Sequence, residues 1–206
     1  MGSQQKGFTL IELLVVIAII GVLAGMGSQM MGYSIKKGNI SAAESEIQRL
    51  ILGVESFQLD HGDYPPTSME EAYEVSGNGL DTGNESMVAH LASRAKGRTY
   101  FDFTEEYLEN LDNDSLDKSL VDEISWVFGD NQLREYVDPW GNPYVYIHNN
   151  DYGREFSVTG DGKPVMVSAG QSAKTATYYE PIRFQIWSAG PDGIHENAEG
   201  DDVSQW

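Results

Sequence analysis

Two hydrophobic patterns divide the chain. Residues 13–27, LLVVIAIIGVLAGMG, carry no charge and no strongly polar side chain. Extended back to Phe8, the run reaches about 20 residues, or roughly 30 Å as helix, which matches one bilayer core. The pattern then turns periodic. Ile40, Ala43, Ile47, Leu50, Val54 and Phe57 recur at spacings of three and four, while Glu44, Glu46, Gln48 and Arg49 lie mostly off that stripe. One helix over residues 8–59 is predicted, its first half (8–28) transmembrane and its second half packed on a sheet. Gly21, Gly25, Gly27 and Gly32 weaken it locally. His61-Gly62-Asp63-Tyr64-Pro65-Pro66 ends it, because glycine and proline both break helices.

The remainder, residues 60–206, predicts a small head. Residues 138–146, DPWGNPYVY, read as a proline-framed turn followed by a strand. REFSVTG and KPVMVSA flank a Gly160-Asp161-Gly162 turn and read as a hairpin. Residues 178–188, YYEPIRFQIWS, alternate strand formers. Between the helix and these strands lies a long insertion, about 67–136. In it, ESMVAHLASRA at 85–95 reads as a helix with Met87, Val88 and Leu91 on one side, and 104–128 alternates acidic and apolar positions. The expected fold is α+β: a long N-terminal helix on a small antiparallel sheet, with an αβ insertion.

Charge sharpens the division. The 206 residues hold 32 acids against 13 lysines and arginines, for a net charge of −19. Up to residue 40 the sole acid is Glu12. Such an acidic body repels nucleic acid and attracts cations. Cysteine is absent, so no disulfide holds the head. His61, His90, His148 and His195 are scattered without metal-ligand spacing. No nucleophile elbow, phosphate loop or dinucleotide fingerprint occurs, and the chain reads as a non-enzyme.

Glu12 stands inside the greasy run, where an ionisable group costs roughly 2.5–3.5 kcal/mol on insertion scales and marks a functional position. It closes the string Gly7-Phe8-Thr9-Leu10-Ile11-Glu12, which resembles the prepilin processing site of type IV pilins and type II secretion pseudopilins. The resemblance implies that residues 1–7 are a leader removed after Gly7 by a membrane prepilin peptidase. It also implies methylation of the new amine on Phe8. The family's matching acid brings a new subunit into register, so Glu12 would pair with a neighbour's Phe8 amine. FQLDHGDYPPT and DPWGNPYVY resemble the major pseudopilin of type II secretion, in the same order along the chain.

The C-terminus, SAGPDGIHENAEGDDVSQW at 188–206, crowds carboxylates and glycines. Hard oxygen ligands in a glycine-rich loop suit calcium, although the spacing is not that of an EF-hand. Composition alone also fits a solvated acidic tail. The loop is similar to the calcium loop of major pseudopilins. That similarity implies side-chain ligands at Asp192 and Asp202, with the carbonyls of Ala189, Ile194 and Val203 completing the shell, and Asp201 or Glu199 as substitutes. Gln205 stands where the family usually has asparagine, and Trp206 is expected to bury its ring and pin the loop's end.

The reading implied is a structural subunit of a type II secretion pseudopilus. It would sit as a single-pass protein in the bacterial inner membrane with its head in the periplasm, then assemble into a filament. Its partners would be further copies of itself, minor pseudopilins, the prepilin peptidase and the inner-membrane assembly platform. A type IV pilus subunit for adhesion, motility or DNA uptake is the nearest alternative. A membrane-anchored, non-polymerising calcium-binding recognition domain is an alternative of another class; it leaves Glu12 unexplained.

Overall fold

The computed structural model describes residues 7–69, 78–93, 97–115, 130–160 and 162–206, with side chains throughout except at Ala24 and at 26–32. The chain divides into two units, Met1–Gly38 and Asn39–Trp206. Helix α1, Leu10–His61, runs through the boundary. Its start and end fall within two residues of the predicted 8–59. It stops at Gly62, whose φ of 87° is the left-handed conformation that glycine adopts without a Cβ penalty and whose N–H donates to the Gln58 carbonyl at 2.7 Å.

In the first unit the apolar side chains of α1 are exposed from Leu10 (82 %) through Leu23 (63 %). Among the described residues, no helix is long and apolar enough to cross a membrane. The described apolar run ends at Leu23, short of the roughly 20 residues a bilayer core requires. The transmembrane expectation for 8–28 extends into side chains outside the described residues.

The second unit is α+β. Among the described residues it adds helix α2 (Thr82–Ala92) and strands β1 (Leu108–Glu109), β2 (Glu135–Tyr136), β3 (Val145–His148), β4 (Glu155–Gly160), β5 (Lys163–Ser168), β6 (Phe184–Ser188) and β7 (Val203–Ser204). Among the described strands the ladders are antiparallel: β1 with β2, β4 with β5, and β3-β6-β7 as a three-stranded sheet. Strand alternation sorts the central sheet between two cores. Tyr144, Tyr146, Phe184 and Ile186 join Ala43, Ile47, Leu50, Val54 and Phe57 of α1 together with Met87, Val88 and Leu91 of α2. Val145, Ile147 and Trp187 face the other way, into a core with Val158, Val167, Ala169 and Ala198. The predicted stripe of α1 is therefore the buried face, with Ile40 packed at its edge.

The two strands of the expected hairpin pair, with Gly160 opposite Lys163. Residues 178–183 do not extend the strand as their alternation suggested. Glu180 sits at φ 45°, Pro181 has no N–H to donate, and Arg183 N–H turns back to the Glu180 carbonyl at 3.1 Å, so β6 begins only at Phe184. The insertion helix starts at Thr82, three residues before the expected Glu85, and is buried on its polar side as well: Glu85, Ser86 and His90 are all nearly inaccessible. Gly83 explains its close docking, because a Cβ there would run into the Tyr146 carbonyl. Asp81 locks the helix start to the hairpin by accepting from Thr159 N–H at 2.9 Å and Thr159 Oγ1 at 2.6 Å. Much of the acidic-apolar stretch 104–128 lies outside the described residues.

Candidate functional site

At the N-terminus, Gly7 and Phe8 lie in non-helical chain before α1, and Phe8 is 82 % exposed. A peptide bond in open, extended chain is accessible to a protease, whereas one within a helix is not. Thr9 and Glu12 close a capping box. The Glu12 carboxylate accepts from Thr9 N–H and Thr9 Oγ1, both at 2.8 Å, and Thr9 Oγ1 accepts from Glu12 N–H at 3.4 Å. The role of Thr9 was legible in the T-x-x-E spacing. Its consequence is that Glu12 has a local hydrogen-bonding partner in the single chain, before any neighbour arrives.

The C-terminal loop is built on Asp138, in the turn preceding β3. Its Oδ1 accepts from Trp140 and Asn142 N–H at 2.8 and 3.0 Å, and its Oδ2 accepts from Ser188 Oγ. Ser188 Oγ in turn accepts from Gly190 N–H at 3.0 Å, and Asn142 Nδ2 donates to the Gly190 carbonyl at 3.2 Å. Burial raises the Asp138 pKa, and these hydrogen bonds oppose that shift. Gly190, at φ 67°, lies so close to the Asp201 carbonyl that a Cβ would collide with it; the beginning and end of the loop thus meet there.

Asp202 Oδ2 accepts from Ala198 N–H at 2.7 Å and Glu196 N–H at 3.0 Å, while Oδ1 is buried without a partner among the described residues. Burial pushes the Asp202 carboxyl up to about 7, and neighbouring Glu196 and Asp201 add to the push against the two backbone donors. Asn197 and Ala198 hold positive φ of 55° and 65°, a conformation costly for residues with a Cβ. Asp192 is exposed and accepts from Ile194 N–H at 2.8 Å. Ala189 is fully buried, Ile194 is exposed, and Val203 is buried in β7 opposite Ser188. An orphaned, buried carboxylate oxygen is what a hard cation would satisfy, so Asp202 fits the expected ion. Asp192, Asp201 and Asp202 do not form a tight trio. The carboxylates that gather within 4.8 Å of one another, among the described residues, are Glu85, Asp112, Asp114 and Glu135 in the insertion.

Gln205 and Trp206 close the loop. Gln205 donates to the Phe184 carbonyl at 3.0 Å and accepts from Ile186 N–H at 2.9 Å, extending the pairing along β6 beyond β7. Trp206 stacks on Tyr179 with centroids 4.9 Å apart. His195 Nε2 lies 3.3 Å from the Thr159 carbonyl and is half-buried, so it packs against the hairpin.

Residues 2–28 match the prokaryotic N-terminal methylation motif, the signature of type IV pilin-class proteins. Over most of its length the chain is similar to type II secretion system core protein G. The match to that of Pseudomonas aeruginosa is 26 % identical over 162 residues, 78 % of this chain and 87 % of the relative. The match to that of Escherichia coli is 27 % identical over 151 residues, covering 73 % and 77 %. A shorter similarity reaches the type IV major fimbrial protein FimA of Dichelobacter nodosus, 42 % identical over 60 residues, 29 % of this chain and 38 % of that one. No solved structure matches.

Proposed function

We propose that the chain is a structural, non-catalytic subunit of a type II secretion pseudopilus. The observation carrying this reading is the methylation motif at 2–28 joined to a head similar to core protein G along most of both chains. In this reading, the leader 1–7 is cleaved after Gly7, Phe8 is methylated, and residues 8–28 reside in the inner membrane before assembly. The exposed apolar face of Leu10–Leu23 then packs on the same face of other copies, with minor pseudopilins and the assembly platform as further partners. Glu12 exchanges its capping contacts for the Phe8 amine of the next subunit, which neutralises the charge inside an apolar filament. Glu12→Ala is expected to be cleaved normally and to assemble poorly, read as filament yield by electron microscopy. Normal yield removes the role.

The C-terminal loop would hold calcium through Asp192 and Asp202, with Asp201 and the Ala189, Ile194 and Val203 carbonyls contributing. The orphaned Asp202 Oδ1 supports this. At calcium ten times above Kd, mass action adds about 1.4 kcal/mol of stability. Tm should therefore rise with calcium over chelator, and less so in Asp202→Asn. The FimA similarity keeps a type IV pilus subunit as the second reading, over a much shorter stretch.

A further inference from the structure

A second group of carboxylates, two buried and two half-buried, lies in the insertion, remote in sequence from the C-terminal loop. Glu85 comes from the first turn of α2, Asp112 and Asp114 from the loop after β1, and Glu135 from β2. One oxygen from each lies within 4.8 Å of the others. That is about the greatest separation two oxygens can have across one calcium ion bound at roughly 2.4 Å.

The surroundings fix these groups and leave oxygens of Glu85, Asp114 and Glu135 without a donor among the described residues. Asp112 has a donor on each carboxylate oxygen, Asn78 Nδ2 on Oδ2 at 2.7 Å and Asp114 N–H on Oδ1 at 3.2 Å. Leu111 N–H donates to Glu135 Oε2 at 2.8 Å. Asn110 brackets Asp114 through its backbone, donating to the Asp114 carbonyl at 2.9 Å and accepting from its N–H at 3.1 Å. Among the described residues, Glu85 Oε1, Glu135 Oε1 and both Asp114 carboxylate oxygens have no partner. Glu85 is 3 % and Glu135 0 % exposed. Burial pushes Glu85 up to about 11, with Asp114, Glu135 and Asp112 adding repulsion. Burial likewise pushes Glu135 up to about 8. Buried carboxylates facing one another repel, and that repulsion is relieved by protons held on them or by a cation at their centre.

We infer that Glu85, Asp112, Asp114 and Glu135 bind one calcium ion that ties the β1–β2 arm of the insertion to α2. A hard dication suits a set made only of carboxylate oxygens, and four carboxylates offer enough oxygens for a coordination number of six to eight. The site stands on its own residues and does not depend on the C-terminal loop.

The test uses the full chain in detergent micelles, stripped with chelator and titrated with calcium by equilibrium dialysis. Wild type, Glu85→Gln/Glu135→Gln and Asp192→Asn/Asp202→Asn are compared. The expected result is one fewer bound calcium in the Glu85/Glu135 variant, with the insertion's calcium retained in the Asp192/Asp202 variant. Equal uptake by wild type and the Glu85/Glu135 variant overturns the inference, whether or not the C-terminal loop binds. Asp112→Asn, at a partly exposed position, guards against misfolding and should weaken the same event at least tenfold. In wild type, calcium should slow hydrogen exchange at the Leu111 amide at least tenfold. No slowing indicates a cluster neutralised by protons alone and also overturns the inference.

Discussion

The two acidic regions of the head handle charge to different degrees. In the C-terminal loop, acids are dense in sequence, and backbone donors reach one oxygen of each proposed side-chain ligand: Asp202 Oδ2 has two N–H partners and Asp192 Oδ1 one, leaving Asp202 Oδ1 as a single buried oxygen without a donor among the described residues. In the insertion, acids from positions 85, 112, 114 and 135 converge from separate elements, and Glu85 Oε1, Glu135 Oε1 and both Asp114 oxygens have no donor among the described residues. Local crowding of carboxylates is thus a poor guide to where unmet charge accumulates. Burial without donors is a better one.

The largest effects should come from the glycines that allow each region to close. Gly83→Ala drives a Cβ into the Tyr146 carbonyl and Gly190→Ala into that of Asp201, the latter also at positive φ. Each should cost on the order of 3–5 kcal/mol in denaturant unfolding. Only Gly190→Ala should also abolish the stabilisation calcium gives through the loop. Equal loss of that response in Gly83→Ala would erase the distinction between the regions.

Acid should act next, through α2. Burial holds His90 down to about 4, with its ring nitrogen on the Ser86 carbonyl at 2.7 Å opposing that shift. The folded form stays neutral while the unfolded chain takes up a proton below about 6.5. The share of stability owed to His90 is therefore full above that pH and falls as pH drops toward 4, by about 3 kcal/mol. The difference between wild type and His90→Gln in thermal melts between pH 7 and 4 should show this slope, because the raised carboxyls of Glu85, Glu135 and Asp202 act in the opposite direction in both proteins.

Smaller effects separate the two carboxylate sets. In chelator at pH 8, Glu85→Gln removes an uncompensated buried acid and should raise stability by about 1–3 kcal/mol. Asp202→Asn should change chelated stability by less, because backbone N–H groups already support that carboxylate. Gln205→Ala should cost about 1–2 kcal/mol by leaving the Ile186 N–H and the Phe184 carbonyl without its amide.

Much of this architecture was legible in the sequence because it is written in periodicity and turn chemistry. The stripe from Ile40 to Phe57 is the buried face of α1, and Gly160 and Gly162 bracket the hairpin turn. The strand beginning at Phe184 was placed too early, because Tyr178 and Tyr179 favour strand while Glu180 and Pro181 turn the chain. The polar burial of α2 was invisible, since Glu85, Ser86 and His90 read as a solvent face and find their places only through tertiary contacts. The same reason hid the insertion's carboxylate cluster, whose members are separated by up to fifty positions. The anchoring role of Asp138 was partly signalled by its proline-glycine turn, but its bond to Ser188 spans elements that sequence alone does not join.

The central claim is that the motif at the N-terminus is processed so that this chain can assemble. Intact-mass analysis of the native polypeptide from its membranes addresses it directly. The account predicts a chain beginning at Phe8 with one methyl group on its amine; a chain retaining residues 1–7 with an unmodified Phe8 would contradict it.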